Sequence, residues 1–326
     1  MNIQPAEIKN PKSKIRNTLS VWIALAGIVA GLVSIPQWTT NANALNLLFL
    51  IFIFITMSQS WNILGGFAGQ ISLGHAAFFG IGALVMRVLW IGGMEFFIAM
   101  PIAGVVAALC AFVVGIPTFR LRGAYFSIGT LALAEALRLT IANVLPTVST
   151  MPARYIAAFD LAQRYYVALA IAVITMLATY LLMRSRWMLG WLAIREDEEA
   201  AQATGVQLLW HKLAASGISS FFAGLAGAVF SFQQVSYYPS SVFVATWTFD
   251  PVLIAFIGGV GTLIGPVIGA IFFIAIREQL VITLPSLHPI IFGIMFILIV
   301  LVFPGGLVDI GTRLQQWMQK RRVKSS

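Results

Sequence analysis

Apolar runs close to bilayer length recur along almost the whole chain, and no other feature restricts its fold so severely. They lie at about 19–36, 44–64, 71–91, 95–117, 124–145, 165–183, 211–235 and 287–303, with a Gly-rich run at 248–276. A helix needs roughly 20 apolar residues to cross the hydrocarbon of a membrane. Lipid offers backbone N–H and C=O groups no partner, so each spanning segment must satisfy them internally. The period-2 alternation of a membrane barrel is absent. The expected fold is therefore an all-α polytopic membrane protein. Composition agrees: of 326 residues, 60% are hydrophobic and only 10% are charged, against about 25% charged in an average soluble domain.

The net charge of +9 would suggest nucleic acid in a soluble protein. Here the cations flank spans, so orientation accounts for them and no nucleic-acid partner is expected. Fifteen of the 20 Lys and Arg fall in four places: the tail 1–18, Arg120 with Arg122, the segment 184–212, and the tail from Arg313 to Lys324. The positive-inside rule puts all four in the cytoplasm. The tail 1–18 lacks a short apolar region with a cleavage site and reads as a cytoplasmic tail, not a signal peptide.

Counting from that tail, four spans return the chain inside at Arg120 and two more at Arg184. The next span exits, so a cytoplasmic tail at 311–326 requires an odd number of further crossings. The run 248–276 then cannot be one simple crossing. The expected solution is eight transmembrane helices plus a re-entrant pair, entering and leaving from the outer side and broken at Gly258, Gly259 and Gly261. Depending on how a span is defined, the count is 8–10. The membrane domain occupies 19–310 and contains a cytoplasmic loop at 185–210.

Inside that loop stands a polar island, Arg195-Glu-Asp-Glu-Glu-Ala-Ala-Gln-Ala-Thr-Gly205. Four consecutive acids followed by small, helix-prone residues belong outside the membrane, against a partner. Alanines let two backbones approach closely, and the Gly ends or bends the helix.

Two further segments are interrupted by glycine, one in each half. The first is Asn62-Ile-Leu-Gly-Gly-Phe-Ala-Gly-Gln-Ile-Ser-Leu-Gly-His75; the second is Ile257-Gly-Gly-Val-Gly-Thr-Leu-Ile-Gly-Pro-Val-Ile-Gly269. Paired interruptions point to a translocation path in transporters with internal repeats. Close helix packing through small residues explains many of the same glycines. Gln70, Ser72 and His75 follow the first break and are path candidates. His75 either meets substrate or is hydrogen-bonded to a neighbouring carbonyl. Tyr125 and Thr130 lie in the first turns of the fifth span and join the candidates.

Glu135 and Arg138, three apart in that span, share one helical face and can form an ion pair. Their depth makes them functional candidates; an ion pair that fixes helix packing is the alternative. Arg154 and Arg164 fall in the outer loop 146–164, where solvated side chains are expected, open to a soluble delivery protein.

Independent chemistry has no visible seat. The sequence holds no GxxxxGK[ST] phosphate loop, no HExxH or Cys/His metal spacing and no GxSxG elbow. No catalytic residue, metal ligand or cofactor site is expected on this chain. Its single Cys110 excludes an internal disulfide framework.

The ordered segments NILGGFAGQISLGHAAFFGIGAL, RLRGAYFSIGTLALAE, AIREDEEAAQATGV, AGLAGA and FIGGVGTLIGPVIGA strongly resemble the M-type permease subunits of branched-chain amino acid ABC importers. Urea and short-chain amide permeases are similar too. The resemblance runs from about residue 44 to Gly306 and includes the spacing of the EAA loop, the short cytoplasmic helix that docks on an ATP-hydrolysing subunit. It implies a second homologous permease, two ATPase subunits that hold the ATP and Mg, and a periplasmic or lipid-anchored binding protein, in a bacterial inner membrane with both termini cytoplasmic. By the same resemblance, Arg195, Glu196, Asp197, Glu198, Glu199, Ala200, Ala201 and Gly205 form the coupling element. The last span ends Phe303-Pro-Gly-Gly-Leu307, like the family's P-x-G-L ending. The family's Thr-Gly-Gly run after the fifth span is missing here, which leaves the substrate open. The I-x-L-P portion of the general EAA consensus is missing as well. Other classes the residues allow are a secondary transporter driven through Glu135 and His75, and a channel.

Overall fold

The protein is described here from a computed structural model over residues 27–39, 41–145, 149–150, 160–283, 287–302 and 305–309. The two basic tails, Arg154, Phe303 and Pro304 lie outside the described residues. The chain divides into two compact units, 1–45 and 46–326. The first contributes helix α1 (Gly27–Trp38).

Helix α2 (Ala42–Trp61) runs into a π-helical turn, Asn62–Phe67, before the chain leaves helical geometry at 68–74. Then follow α3 (His75–Ile91), α4 (Phe96–Thr118), α5 (Ala124–Val144) and α6 (Leu161–Met183). The polar island takes in the end of one short helix, α7 (Arg186–Glu196), and the whole of a second, α8 (Glu198–Ala203), ahead of the long α9 (Leu208–Gln233). A 3-10 turn (Pro239–Val242) leads to α10 (Thr246–Gly258), α11 (Gly265–Thr283) and α12 (His288–Val302). One two-residue ladder pairs β1 (Ser149–Thr150) antiparallel with β2 (Ser236–Tyr237).

Among the described residues six helices are long and apolar enough to cross a membrane, and α1 and α3 are shorter apolar helices. The protein is an all-α polytopic membrane protein, as its apolar runs require. Boundaries moved where local chemistry outweighed hydropathy. The run 71–91 becomes helical only at His75, because glycines interrupt what precedes it. The sixth span starts at Leu161 rather than 165, since Asp160 caps it by accepting from the Ala162 N–H at 2.9 Å. The run 248–276 is a helical hairpin, α10 and α11, open at 259–264. Loop 185–210 is mostly helical, with Met188, Trp191 and Ile194 of α7 buried in the bundle.

Burial separates the centre of the bundle from its rim. The apolar windows of α2 and α9 are 83% and 78% buried, while that of α5 is only 17% buried. Close approach of α9 to its neighbours depends on the small residues of AGLAGA. A Cβ on Gly227 would overlap the carbonyl oxygen of Phe79 in α3, and one on Gly82 would overlap that of Gly224. Without a hydrophobic driving force between helices in lipid, such contact supplies the association energy through dispersion. In the α10–α11 hairpin, Gly258 lies against Gly265 so closely that neither has room for a side chain.

Candidate functional site

Three pieces of chain converge where the two glycine interruptions meet. The Asn62 carboxamide accepts from Gly261 N–H at 2.7 Å and donates to Thr262 C=O at 2.8 Å, fixing the hairpin tip against the π-turn. Gly261 has φ +76, a conformation that favours glycine. Its neighbour is the guanidinium of Arg195, which donates to Gly66 C=O at 2.8 Å. The Cα of Gly69 packs on the backbone of Arg195 as well. The foot of the polar island therefore touches both interruptions. The tip of the α10–α11 hairpin thus lies at the end of the bundle that carries α7 and α8, and Pro239–Gly258, expected as one limb of a re-entrant pair, is itself long and apolar enough to cross a membrane.

The island is not one continuous helix: Glu196 ends α7, Asp197 is extended, and α8 runs over Glu198–Ala203. The Asp197 carboxylate accepts from Glu199 N–H at 2.8 Å and Ala200 N–H at 3.0 Å, capping α8. Gly205, at φ +90, turns the chain after it. Ala201 faces inward and is buried, while Glu196, Asp197, Glu199 and Ala200 are exposed. Glu198 differs from the other acids. Its Oε1 accepts from Lys212 Nζ at 2.6 Å and from Gln70 Nε2 at 3.1 Å. Burial works to raise the Glu198 carboxyl. Hydrogen bonds from Lys212 and Gln70, with the charges of Lys212 and Arg122, outweigh it and hold the group below the usual carboxylate range. Glu199 makes an exposed ion pair with Arg122 at 3.4 Å.

The segment between the π-turn and α3 is braced on α5. Leu73 N–H donates to Thr130 Oγ1 at 3.0 Å, and Ser127 Oγ donates to Ile71 C=O at 2.6 Å. Beside it lies a small half-open cleft of about 10 Å³, room for about one water, whose walls include Leu64, Ser72, Gly74, Phe126, Thr130 and Ser216. Two of the sequence candidates, Ser72 and Thr130, thus line one space. Gln70 instead reaches the polar island.

His75, at the start of α3, is fully buried and bonds the Ser219 hydroxyl at 2.7 Å rather than a carbonyl. Ser219 already donates its one proton to Ser60 C=O at 2.7 Å. It must therefore accept from His75 Nε2–H. The neutral His75 tautomer carries that proton on Nε2. Glu135 and Arg138 do form an ion pair, closed within α5 and partly exposed at 46% and 31%. Among the described residues neither side chain is bonded to another helix. Tyr125 is 75% exposed on the first turn of α5. Gly258 and Gly259 sit at the hairpin tip, where Gly306 packs against them.

The chain matches the family described as branched-chain amino acid transport system / permease component over residues 43–300. The chain belongs to this family. It is 29% identical to the high-affinity branched-chain amino acid transport system permease protein LivM of Escherichia coli K12, with 77% of this chain and 67% of that protein covered. Against LivM of Salmonella typhimurium the identity is 28% with the same coverage. Against a probable branched-chain amino acid transport permease protein LivM of Methanocaldococcus jannaschii it is 24%, covering 64% of this chain and 67% of that protein. No solved structure matches the chain.

For a permease of this family, sequence reasoning missed several buried polar residues. Arg164 is not solvated but 2% exposed in the first turn of α6, where its guanidinium donates to Phe232 C=O and lies over the Phe232 ring. Arg87, hidden in an apolar run, donates to Gln234 C=O at 2.9 Å and Val235 C=O at 3.1 Å. Two cations thus cover the carbonyl end of α9, where the helix dipole favours positive charge. Asn62 and Lys212 were also missed as site residues. An amide opening a Gly-Gly interruption, and a lysine one turn inside a span, were the available signals.

Proposed function

We propose that this permease is the membrane subunit of an ATP-driven importer for branched-chain or other neutral amino acids. It sits in a bacterial inner membrane with both termini cytoplasmic. A second homologous permease completes the membrane pair, two ATPase subunits hold ATP and Mg, and a periplasmic or lipid-anchored protein delivers substrate. The chain itself performs no covalent chemistry. The observation that carries this reading is the contact of Arg195, at the foot of the capped helix α8, with both glycine interruptions. In this reading 195–205 docks on an ATPase subunit, whose closure pushes α8. The bundle then exchanges one packed arrangement for another and exposes the path to alternate sides.

The cleft beside Ser72 and Thr130 belongs to that path in this reading, and Gln70, His75, Tyr125, Glu135, Arg138, Gly258, Gly259 and Gly261 are the residues proposed for the rest of it. A zwitterion suits a path with few charges, its ends met by helix termini.

The test is Ala200→Glu in the complete importer, reconstituted with leucine as probe. The variant is expected to fold normally, lose its co-purifying ATPase subunits and lose uptake. Uptake and co-purification equal to wild type would remove the docking role. Leucine binding by the delivery protein, measured against urea and acetamide, checks the cargo.

A further inference from the structure

We propose that Lys212 is a positioning residue that ties α8 to the first glycine interruption, so that displacement of α8 is transmitted to the chain at Gln70. This inference rests on the docking role given to α8 above and assigns the connection behind it.

One carboxylate oxygen joins three pieces of chain. Glu198 Oε1 in the first turn of α8 lies 2.6 Å from Lys212 Nζ in α9 and 3.1 Å from Gln70 Nε2 in segment 68–74. Lysines near span ends ordinarily extend their charge to water. Lys212 does the reverse, with its side chain 4% exposed and that of Glu198 24% exposed. A desolvated ammonium that loses its carboxylate is strongly disfavoured, so the two groups must move together or not at all. Arg122–Glu199, the other ion pair of the island, has side chains 66% and 83% exposed and carries no such constraint.

The connection continues beyond Gln70. Gln70 N–H donates to Leu64 C=O at 3.0 Å, within the π-turn, and Leu73 N–H three residues on is held by Thr130 Oγ1. A shift of Gln70 is therefore felt at Ser72 and Thr130, on the wall of the cleft. Single π-helical turns recur at functional sites, and this one lies between α2 and the non-helical segment 68–74. Arg195 supplies a parallel contact to Gly66, and among the described residues Lys212 is the side chain that bonds the island from a buried position on the central helix α9.

The experiment uses the complete importer in proteoliposomes, with leucine as probe and the leucine-loaded delivery protein outside. Lys212→Met is expected to keep its co-purifying ATPase subunits and their unstimulated ATPase rate. Leucine uptake should fall about tenfold and ATP hydrolysed per leucine should rise about as much, within the usual range of coupling between sites. Lys212→Arg, which keeps the charge, should retain coupling. The exchange E198K/K212E should recover uptake relative to Glu198→Lys alone, and this comparison stands even if Lys212→Met fails to fold. Uptake in Lys212→Met within about twofold of wild type, or an exchange no better than Glu198→Lys, would overturn the proposal. The docking reading fails separately, through the co-purification of Ala200→Glu.

Discussion

The carboxamide of Asn62 holds the backbone of Gly261 from 199 residues away, accepting its N–H at 2.7 Å. Its other end donates to Thr262 C=O at 2.8 Å. Broken backbone at membrane depth must find partners in protein or water, and here one side chain meets a donor and an acceptor at once. The two glycine interruptions are thereby a single structural unit.

Replacing Asn62 by Leu keeps the volume and removes both bonds. Gly261 N–H and Thr262 C=O then lose their partners; because both residues are half-buried, the cost falls below the roughly 1–3 kcal/mol of a fully buried orphan group. The purified variant should melt at a lower temperature in detergent than wild type. An unchanged melting temperature would show that the hairpin tip does not depend on Asn62.

Gly227→Ala should be far more damaging than its one added methyl suggests. The new Cβ would overlap Phe79 C=O, and backbone cannot swing aside as a flexible side chain can, so α3 and α9 must part. Overpacking of this kind costs about 1–3 kcal/mol or more. Gly293→Ala in α12, with nothing within 4 Å of the added atom, is the control and should leave monodisperse yield and melting unchanged.

These glycines also show what was legible in the sequence. Apolar runs and paired Gly-Gly interruptions fix the helices and the opening in 248–276, because both follow from local chemistry. Which elements meet depends on contacts between residues distant in the chain, so Asn62 with Gly261, and Glu198 with Lys212, were invisible. Arg164 was misplaced because a polar stretch at a span edge looks the same whether it faces solvent or turns inward. Arg87 was lost inside an apolar run for the complementary reason.

Arg164→Met removes the donor to Phe232 C=O and the contact with its ring. The change also ends the desolvation of a buried cation and its repulsion from Arg87, and gives up the attraction of Asp160. Loss of the bond should prevail, because a guanidinium hydrogen bond is worth about 1.5–3 kcal/mol and the carbonyl end of α9 loses a favourable charge. Lower thermal stability is expected, and faster amide hydrogen exchange near 230–235 would localise the effect. A stabilised variant would show that desolvation and repulsion prevail instead.

Glu198 gives the fold a pH dependence whose sign can be worked out. Although burial pushes its carboxyl up, the hydrogen bonds from Lys212 and Gln70 and the neighbouring cations bring it below the usual value of 4.5. A carboxyl that ionises more readily in the folded state stabilises that state wherever it is ionised in both. The contribution is therefore complete above the unfolded value and disappears as pH falls through the lower folded value. The difference in melting temperature between wild type and Glu198→Gln should stay constant from about pH 8 to about pH 6 and close only below the ordinary carboxylate range. Acid weakens the pair by protonating Glu198. A difference that widens on acidification would mean that burial outweighs the bonds and holds the carboxyl up rather than down.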